Sequence, residues 1–184
     1  MSETTDLLRA ANRGDEDASR RLFTLMYAEL KRLARASLRR SGRPAALDTT
    51  MLVHESFLRF ARQAGFTPAD KRSFYAYVGK VMRGVILDVV RERHARKRGG
   101  GQILVTLTTG VADRPLEDAR LLAIDDALTA LEKIAPDLKE LVEMRYFAGL
   151  TVAQISEISG KPVRSIERDW EKGRTLLRQL IEEG

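Results

Sequence analysis

The stretch LTVAQISEISGKPVRSIERDWEKGRTLLRQL, residues 150–180, has the pattern of a helix-turn-helix. Thr151 is a favourable N-cap for a short first helix, and residues 159–161 form a tight turn. Pro162 suits the first position of a second helix, because its missing N–H would be unpaired there anyway. One apolar stripe runs through both helices, formed by Val152, Ile155, Ile158, Ile166, Trp170, Leu176, Leu177 and Leu180. The stretch therefore predicts two short helices that bury a common face.

The opposite face of the second helix is polar and mostly basic. Its residues are Arg164, Ser165, Glu167, Arg168, Lys172 and Arg174. In a DNA-binding helix-turn-helix, residues of the first turns contact base edges and later basic residues contact phosphates. An ordinary helical hairpin also has a charged, solvated face, but the pattern favours DNA binding.

The rest of the chain also has helical periodicity. Upstream helices are predicted over about 5–12, 15–40, 48–64 and 71–97, and a further helical segment begins at Leu116. Gly99-Gly100-Gly101 is a strong linker signal, and the alternating apolar residues that follow it have no partner strand in view. The fold class predicted is all-α, with two helical domains at 1–98 and 116–184 joined by a flexible linker at 99–115.

Charge is unevenly distributed along the chain. Residues 71–101 contain nine Lys and Arg against two acidic residues, a net of +7, whereas residues 102–184 contain 11 basic and 15 acidic residues, a net of −4. The basic segment also holds Phe74, Tyr75 and Tyr77, and this combination suits phosphate contacts and base stacking on single-stranded nucleic acid. A further hypothesis is that the acidic C-terminal part packs on the basic helix and hides it.

Composition excludes several other classes of protein. The 184 residues are 43% hydrophobic and 32% charged, with no cysteine, which excludes disulfides, thiolate metal sites and cysteine catalysis. Neither a membrane-spanning run nor a secretory signal is evident, so we expect a cytoplasmic protein without membrane contact. His54 and His94 are the only histidines and no catalytic motif surrounds them. No enzyme activity, metal site or cofactor is predicted.

Several segments in a fixed order carry a resemblance to a known family. They are Leu52-Val53-His54-Glu55-Ser56-Phe57-Leu58, Phe74 to Val78 with Arg91 to Arg93, Leu141 to Tyr146, Gly149-Leu150-Thr151, and Ser165 to Arg174. With them the chain resembles bacterial sigma-70 family sigma factors of the extracytoplasmic-function (ECF) group. The resemblance implies that the N-terminal domain binds core RNA polymerase and opens the −10 promoter element. It implies that the linker threads the polymerase and that the helix-turn-helix reads the −35 element.

The resemblance assigns −10 recognition to the basic helix. Near the flipped −10 base we expect Lys71, Arg72, Ser73 and Tyr75, and on the DNA backbone Lys80, Arg83, Arg91 and Arg93. Phe74 and Val78 are expected in the core instead. The −35 element is assigned to the six polar residues of the C-terminal helix.

The polymerase-binding segment departs from the family pattern. The family usually has Asp-Ala-Glu-Asp before the Leu-Val pair, on a helix that docks on the β′ coiled coil of the polymerase. Here the same places hold Asp48, Thr49, Thr50 and Met51, so three carboxylates become one. The remaining expected contacts are His54, Glu55, Leu58 and Arg59. Because charged interfacial partners contribute strongly when buried, we expect weaker binding to core polymerase.

The threonines suggest how the missing charge is restored. A phosphothreonine carries about −1.5 to −2 charges, and a phosphate near a helix N-terminus is favoured by the helix dipole. The hypothesis is that a Ser/Thr protein kinase activates the protein by phosphorylating Thr50 or Thr49. The competing interpretation is that Thr49 only caps the helix and that the other contacts suffice.

Two other functions compete with the sigma-factor interpretation. A helix-turn-helix repressor or activator that never joins RNA polymerase accounts for the C-terminal half, but not for the basic aromatic helix or the two-domain order. An anionic-membrane binder through residues 71–98 conflicts with the core role of Phe74 to Val89. An anti-sigma factor is not indicated by the sequence.

Overall fold

The computed structural model describes residues 3, 6, 7, 10, 13–40, 47–62, 70–98 and 114–183. Among them the regular elements are α1 (Glu16–Arg40), α2 (Thr49–Arg62), α3 (Lys71–Arg98), α4 (Arg114–Ile134), α5 (Pro136–Val142), a π-helical turn (Glu143–Phe147), α6 (Val152–Ser159) and α7 (Val163–Glu182). Every regular element in these ranges is helical, which confirms the all-α prediction. Below, α1–α3 are called the N-terminal helices and α4–α7 the C-terminal helices.

Local capping explains where several helices begin. The Asp48 carboxylate accepts the N–H of Met51 at 2.8 Å, and the Asp70 carboxylate accepts the N–H of Ser73 at 2.7 Å. At the start of α6, the Thr151 hydroxyl accepts the N–H of Gln154, whose side chain accepts the N–H of Thr151 in return. Such a reciprocal pair is a capping box.

Most predicted boundaries agree with the observed helices to within about two residues. Pro162 is an exception in detail, since it is the N-cap of α7 and not its first residue. The predicted linker overlaps α4, which begins at Arg114, because Pro115 is tolerated in a first helical turn. Residues 99–113 of that linker lie outside the described residues.

Buried apolar residues of the N-terminal and C-terminal helices form one continuous cluster. From α1 to α3 it includes Leu30, Leu33, Leu52, Val78, Met82 and Ile86, and from the C-terminal helices Leu128, Leu131, Leu141, Phe147, Leu150 and Ile155. The expected burial of Phe74 and Val78 is confirmed. The π-helical turn packs on α3, and this contact joins the two sets of helices.

Two glycines permit the close approach of backbones at this junction. A Cβ on Gly79 of α3 would lie 2.8 Å from the carbonyl oxygen of Glu143. Gly149 has a φ of +72°, and a Cβ there would lie 2.5 Å from the Cβ of Ala36 in α1. Only glycine fits both positions without displacement of a neighbour.

Two kinds of feature are absent from the described part of the chain. None of its helices combines the length and the apolar character needed to cross a membrane. Within the same ranges, no group of three or more His, Cys, Asp or Glu residues is placed to hold a metal ion.

Candidate nucleic-acid interface

The polar face of α7 is open to solvent. Of the six residues predicted to contact DNA, Arg164, Glu167, Arg168, Lys172 and Arg174 are exposed and Ser165 is half-buried. Ile166, Gly173 and Leu177 lie on the other side of the helix and are buried. Arg168 and Arg174 each lie within ion-pair distance of one acidic neighbour on α7, Asp169 at 3.8 Å and Glu171 at 3.4 Å. The structure thus brings the predicted −35 residues together on one exposed face.

The turn before α7 is held by local contacts. Gly160 has a left-handed φ of +68° after the end of α6, and the hydroxyl of Ser156 donates to the carbonyl of Lys161 at 2.6 Å. Arg145, which the sequence analysis did not single out, lies 5.5 Å from the centre of the Trp170 ring and donates to the carbonyl of Leu150. The bond from Ser156 closes the turn between α6 and α7, and Arg145 ties α7 to the π-helical turn.

The predicted −10 residues on α3 fall into different environments. Lys71, Ser73 and Lys80 are exposed. Tyr75 is half-buried, and its ring meets Phe74 edge-on at 5.3 Å between centroids. The remaining four residues, Arg72, Arg83, Arg91 and Arg93, all point to acidic side chains of the C-terminal helices.

The hydroxyl of Tyr75 is fixed on α1. It donates to the carboxylate of Glu29 at 2.7 Å, and Arg32 binds the same carboxylate with two hydrogen bonds. Burial and the bond to Glu29 raise the pKa of Tyr75 well above its usual range. Burial by itself would raise the pKa of Glu29, but the bonds from Arg32 and Tyr75 outweigh it, so that this pKa is lowered. Tyr75 is therefore a neutral hydrogen-bond donor at pH 7.

Four arginines of α3 form ion pairs with carboxylates of the C-terminal helices. Arg72 bonds Glu140 at 2.8 Å, Arg83 bonds Asp125 and Glu143 at 2.7 Å each, Arg91 bonds Asp125 at 2.5 Å, and Arg93 lies 3.2 Å from Asp118. These eight residues are called the α3 ion-pair interface below. The only signal for it in the sequence was the opposite net charge of the two segments. The net charges do not indicate which residues form ion pairs.

Arg83 is the most enclosed arginine of the α3 ion-pair interface. Only 13% of its side chain is exposed, against 10% for Asp125 and 4% for Glu143. Burial would lower the pKa of Arg83, but the bonds to Glu143 and Asp125 outweigh it and raise this pKa. Lys139 adds a second cation to Glu143 at 3.2 Å. The charges at this point are buried but compensated.

The start of α2 carries the residues predicted to bind core polymerase. Because Asp48 is the N-cap, Thr49 and Thr50 occupy the first two helical positions. Thr49 is half-buried, whereas Thr50 and Met51 are exposed. The interpretation of Thr49 as the N-cap is thus wrong, since a carboxylate one residue earlier accepts the capping hydrogen bond.

The other residues predicted to contact polymerase lie further along α2. His54 is exposed, and Glu55, Leu58 and Arg59 are half-buried. The guanidinium of Arg59 bonds Asp88 of α3 at 2.6 Å, which ties α2 to α3. The residues predicted to contact polymerase therefore lie along α2 and at its N-cap, and none of them belongs to the α3 ion-pair interface.

Comparison with known proteins identifies the family of this chain. The family model for the ECF sigma factor matches residues 1–183. The chain belongs to the ECF sigma factor family. A similar protein is the ECF RNA polymerase sigma factor BldN of Streptomyces coelicolor (strain ATCC BAA-471 / A3(2) / M145), at 28% identity. The alignment spans 184 residues and covers 95% of this ECF sigma factor but 65% of BldN, slightly less than two thirds. No solved structure matches this chain.

Proposed function

We propose that this ECF sigma factor joins core RNA polymerase and directs it to promoters, acting by binding and without catalysis of its own. In the proposal, α2 docks on the β′ coiled coil, α3 engages the −10 element and α7 reads the −35 element. The observation that carries it is the exposed basic face of α7 in a helix-turn-helix, within a chain that matches the family over residues 1–183.

The proposal includes the division into residues 1–98, a linker at 99–115 and residues 116–184. A helix-turn-helix regulator that never joins polymerase would need only the last of these segments. The family match also includes the N-terminal helices, which favours the sigma-factor function. A footprint separates the two: a sigma factor protects an asymmetric site only with polymerase, whereas a stand-alone dimeric regulator protects a palindromic site by itself.

We further propose that a phosphate on Thr50, or on Thr49, strengthens the contact with core polymerase. Three features support Thr50: its exposure, its place at the second position of α2, and the absence of an acidic side chain in the first turn of that helix. A phosphate there would face the N-terminal end of the helix dipole. His54 lies four residues further along the helix, on the same side.

The affinity of the purified protein for core RNA polymerase tests both proposals. Unmodified protein, protein with phosphothreonine at Thr50, and the Thr50→Glu variant are compared. We expect phosphorylation or the glutamate to tighten the complex about tenfold or more, about 1.4 kcal/mol. Thr50→Ala should bind weakly and fail to respond to a kinase, while Thr24→Ala, at an exposed threonine of α1, should respond like wild type.

The outcomes separate the sigma assignment from the switch. Equal, tight binding of all forms would remove the phosphate switch and keep the sigma factor. If Thr49→Ala abolishes the response to the kinase and Thr50→Ala does not, the phosphorylated residue is Thr49. No binding of any form would contradict the proposed function.

A further inference from the structure

The exposed face of α7 holds one acidic side chain among the six residues predicted to contact DNA. Glu167 is exposed and is the fifth residue of the helix, which begins at Val163. Phosphates repel a carboxylate, so Glu167 cannot contact the DNA backbone as its basic neighbours can. When α7 enters a groove, Glu167 therefore either points away from the DNA or contacts the edge of a base.

No contact within the protein accounts for the carboxylate of Glu167. Its side chain makes no ion pair or hydrogen bond with any residue that the structure describes. The side chain of Arg164, one helical turn earlier, is also unpaired within these ranges, although opposite charges three residues apart on a helix can meet. By contrast, Arg174 lies 3.4 Å from Glu171. The first turns of α7 thus present two free groups of opposite charge.

Helix capping does not account for Glu167 either. Acidic residues stabilise a helix in its first turn, where backbone N–H groups lack partners. The first turn of α7 contains no acidic residue, and its N-cap is Pro162. Glu167 lies beyond that turn. Its carboxylate is therefore available to a partner outside the chain.

Arg164 and Glu167 have the spacing of side chains that contact successive base pairs. Three residues of a helix rise about 4.5 Å, at about 1.5 Å per residue. Base pairs are about 3.4 Å apart. The recognition helices of zinc fingers use a spacing of three residues to contact neighbouring bases, and those of helix-turn-helix proteins contact bases with their N-terminal residues. In the major groove, Arg164 and Glu167 would therefore face adjacent base pairs.

The major groove offers few groups that a carboxylate can bind. An ionised carboxylate only accepts hydrogen bonds, and the donors in this groove are the N4 amino group of cytosine and the N6 amino group of adenine. In adenine the acceptor N7 lies beside N6 and repels a carboxylate. Guanine and thymine present the acceptors O6, N7 and O4. Cytosine is therefore the base that Glu167 would bind most favourably, whereas Arg164 has only donors and matches guanine.

We propose that Glu167 is a specificity-determining residue that selects a cytosine in promoter DNA, on the base pair next to a guanine bound by Arg164. This inference rests on the proposed function, because it assumes that α7 lies in the major groove of the −35 element. The carboxylate contributes more to specificity than to affinity, since it binds one base and is repelled by the other three.

The base preference of the holoenzyme, formed from this protein and core RNA polymerase, tests the inference. Wild-type holoenzyme first selects a duplex from a random pool, and the guanine whose preference Arg164→Ala relaxes locates α7 on that duplex. Each adjacent base pair is then changed to the other three, and the affinity for every duplex is measured. We expect wild type to prefer cytosine at one adjacent position by about 5-fold or more.

The Glu167→Gln variant should change this preference in a defined direction. Glutamine carries no charge and can bind N6 and N7 of adenine together, so we expect the preferred base to change from cytosine to adenine. Glu171→Gln is the matched control, because Glu171 is exposed on the same helix but is paired with Arg174. It should keep the preference for cytosine. Circular dichroism checks that both variants retain the helices of the wild type.

Every outcome either supports or overturns the inference. A wild-type preference for another base at both adjacent positions, or an unchanged preference in Glu167→Gln, would overturn it. A change to adenine in Glu171→Gln as well would do the same, because the effect would not be specific to Glu167. If Arg164→Ala alone changes a preference, the proposed function stands and the role of Glu167 fails. If no holoenzyme forms, or if neither variant changes any preference, both fail.

Discussion

Helices α3 and α7 both carry basic side chains, but those of α7 are open to solvent, whereas several of those on α3 are covered by the C-terminal helices. The proposed −35 residues of α7 are exposed or half-buried, with single acidic neighbours on their own helix. Arg72, Arg83 and Arg91 of α3 are instead bound to carboxylates of distant segments. A basic helix in a sequence is therefore a candidate for nucleic-acid binding, but its accessibility depends on which other helices pack on it.

The largest expected effect on the free energy of unfolding comes from loss of apolar packing in the π-helical turn that contacts α3. Phe147 is completely buried in the π-helical turn, so Phe147→Ala should lower the free energy of unfolding by about 3–5 kcal/mol. Ile134→Ala, at a residue that is 62% exposed, should change it by less than about 0.5 kcal/mol. Urea unfolding followed by circular dichroism measures both. Similar losses for the two variants would mean that the turn is not packed as described.

A smaller effect, on DNA affinity, is expected from a substitution on the exposed face of α7. The probe is a duplex that the wild-type holoenzyme selects from a random pool. Arg168→Ala should weaken binding of the holoenzyme to this duplex by about 1–3 kcal/mol, about 5- to 150-fold. It should also relax base preference at one position of that duplex. Arg178→Ala, exposed on the same helix but outside the proposed set, is the control. Loss of affinity in the control alone would place the DNA on a different part of α7.

The smallest expected effect on the free energy of unfolding comes from removal of the N-cap of α3 or of α6. Removal of either cap by Asp70→Ala or Thr151→Ala should cost about 1 kcal/mol at pH 7. The hydrogen bond from the Ser73 N–H lowers the pKa of Asp70 below its usual 3.8. The charged cap therefore stabilises α3 above about pH 3.8, and this stabilisation is lost as the pH falls through the lowered pKa.

The two caps should therefore differ in their pH dependence. Between about pH 7 and pH 3, the cost of Asp70→Ala should decrease, while that of Thr151→Ala should remain, because a hydroxyl does not titrate there. Urea unfolding at both pH values measures each difference. A cost of Thr151→Ala that vanished with acid would show that its effect does not come from the cap.

The sequence predicted the helices well because their signals are local. Capping residues, prolines and apolar periodicity act within a few residues, which is why the limits of α1, α2 and α3 agree with the prediction. The candidate residues on α7 were also predictable, because their positions on one face follow from the helical repeat. The π-helical turn was not predicted, since no short-range pattern distinguishes its five residues from an α-helix.

The candidate site on α3 was only half predictable for a related reason. Composition indicated the basic surface and the opposite charge of the C-terminal segment. It did not indicate that Tyr75 bonds Glu29, 46 residues earlier, or that Arg72 bonds Glu140, 68 residues later. A count of charges contains no information on such distant pairs.

Most of the helices, the helix-turn-helix, the location of the basic segments and the membership of the ECF sigma factor family follow from the sequence. Which basic side chains are accessible depends on the tertiary structure, because helix formation involves contacts within a few residues, whereas burial involves distant ones. The accessibility of Arg83 depends on the approach of Asp125 and Glu143, 42 and 60 residues away, which two close-packed glycines allow.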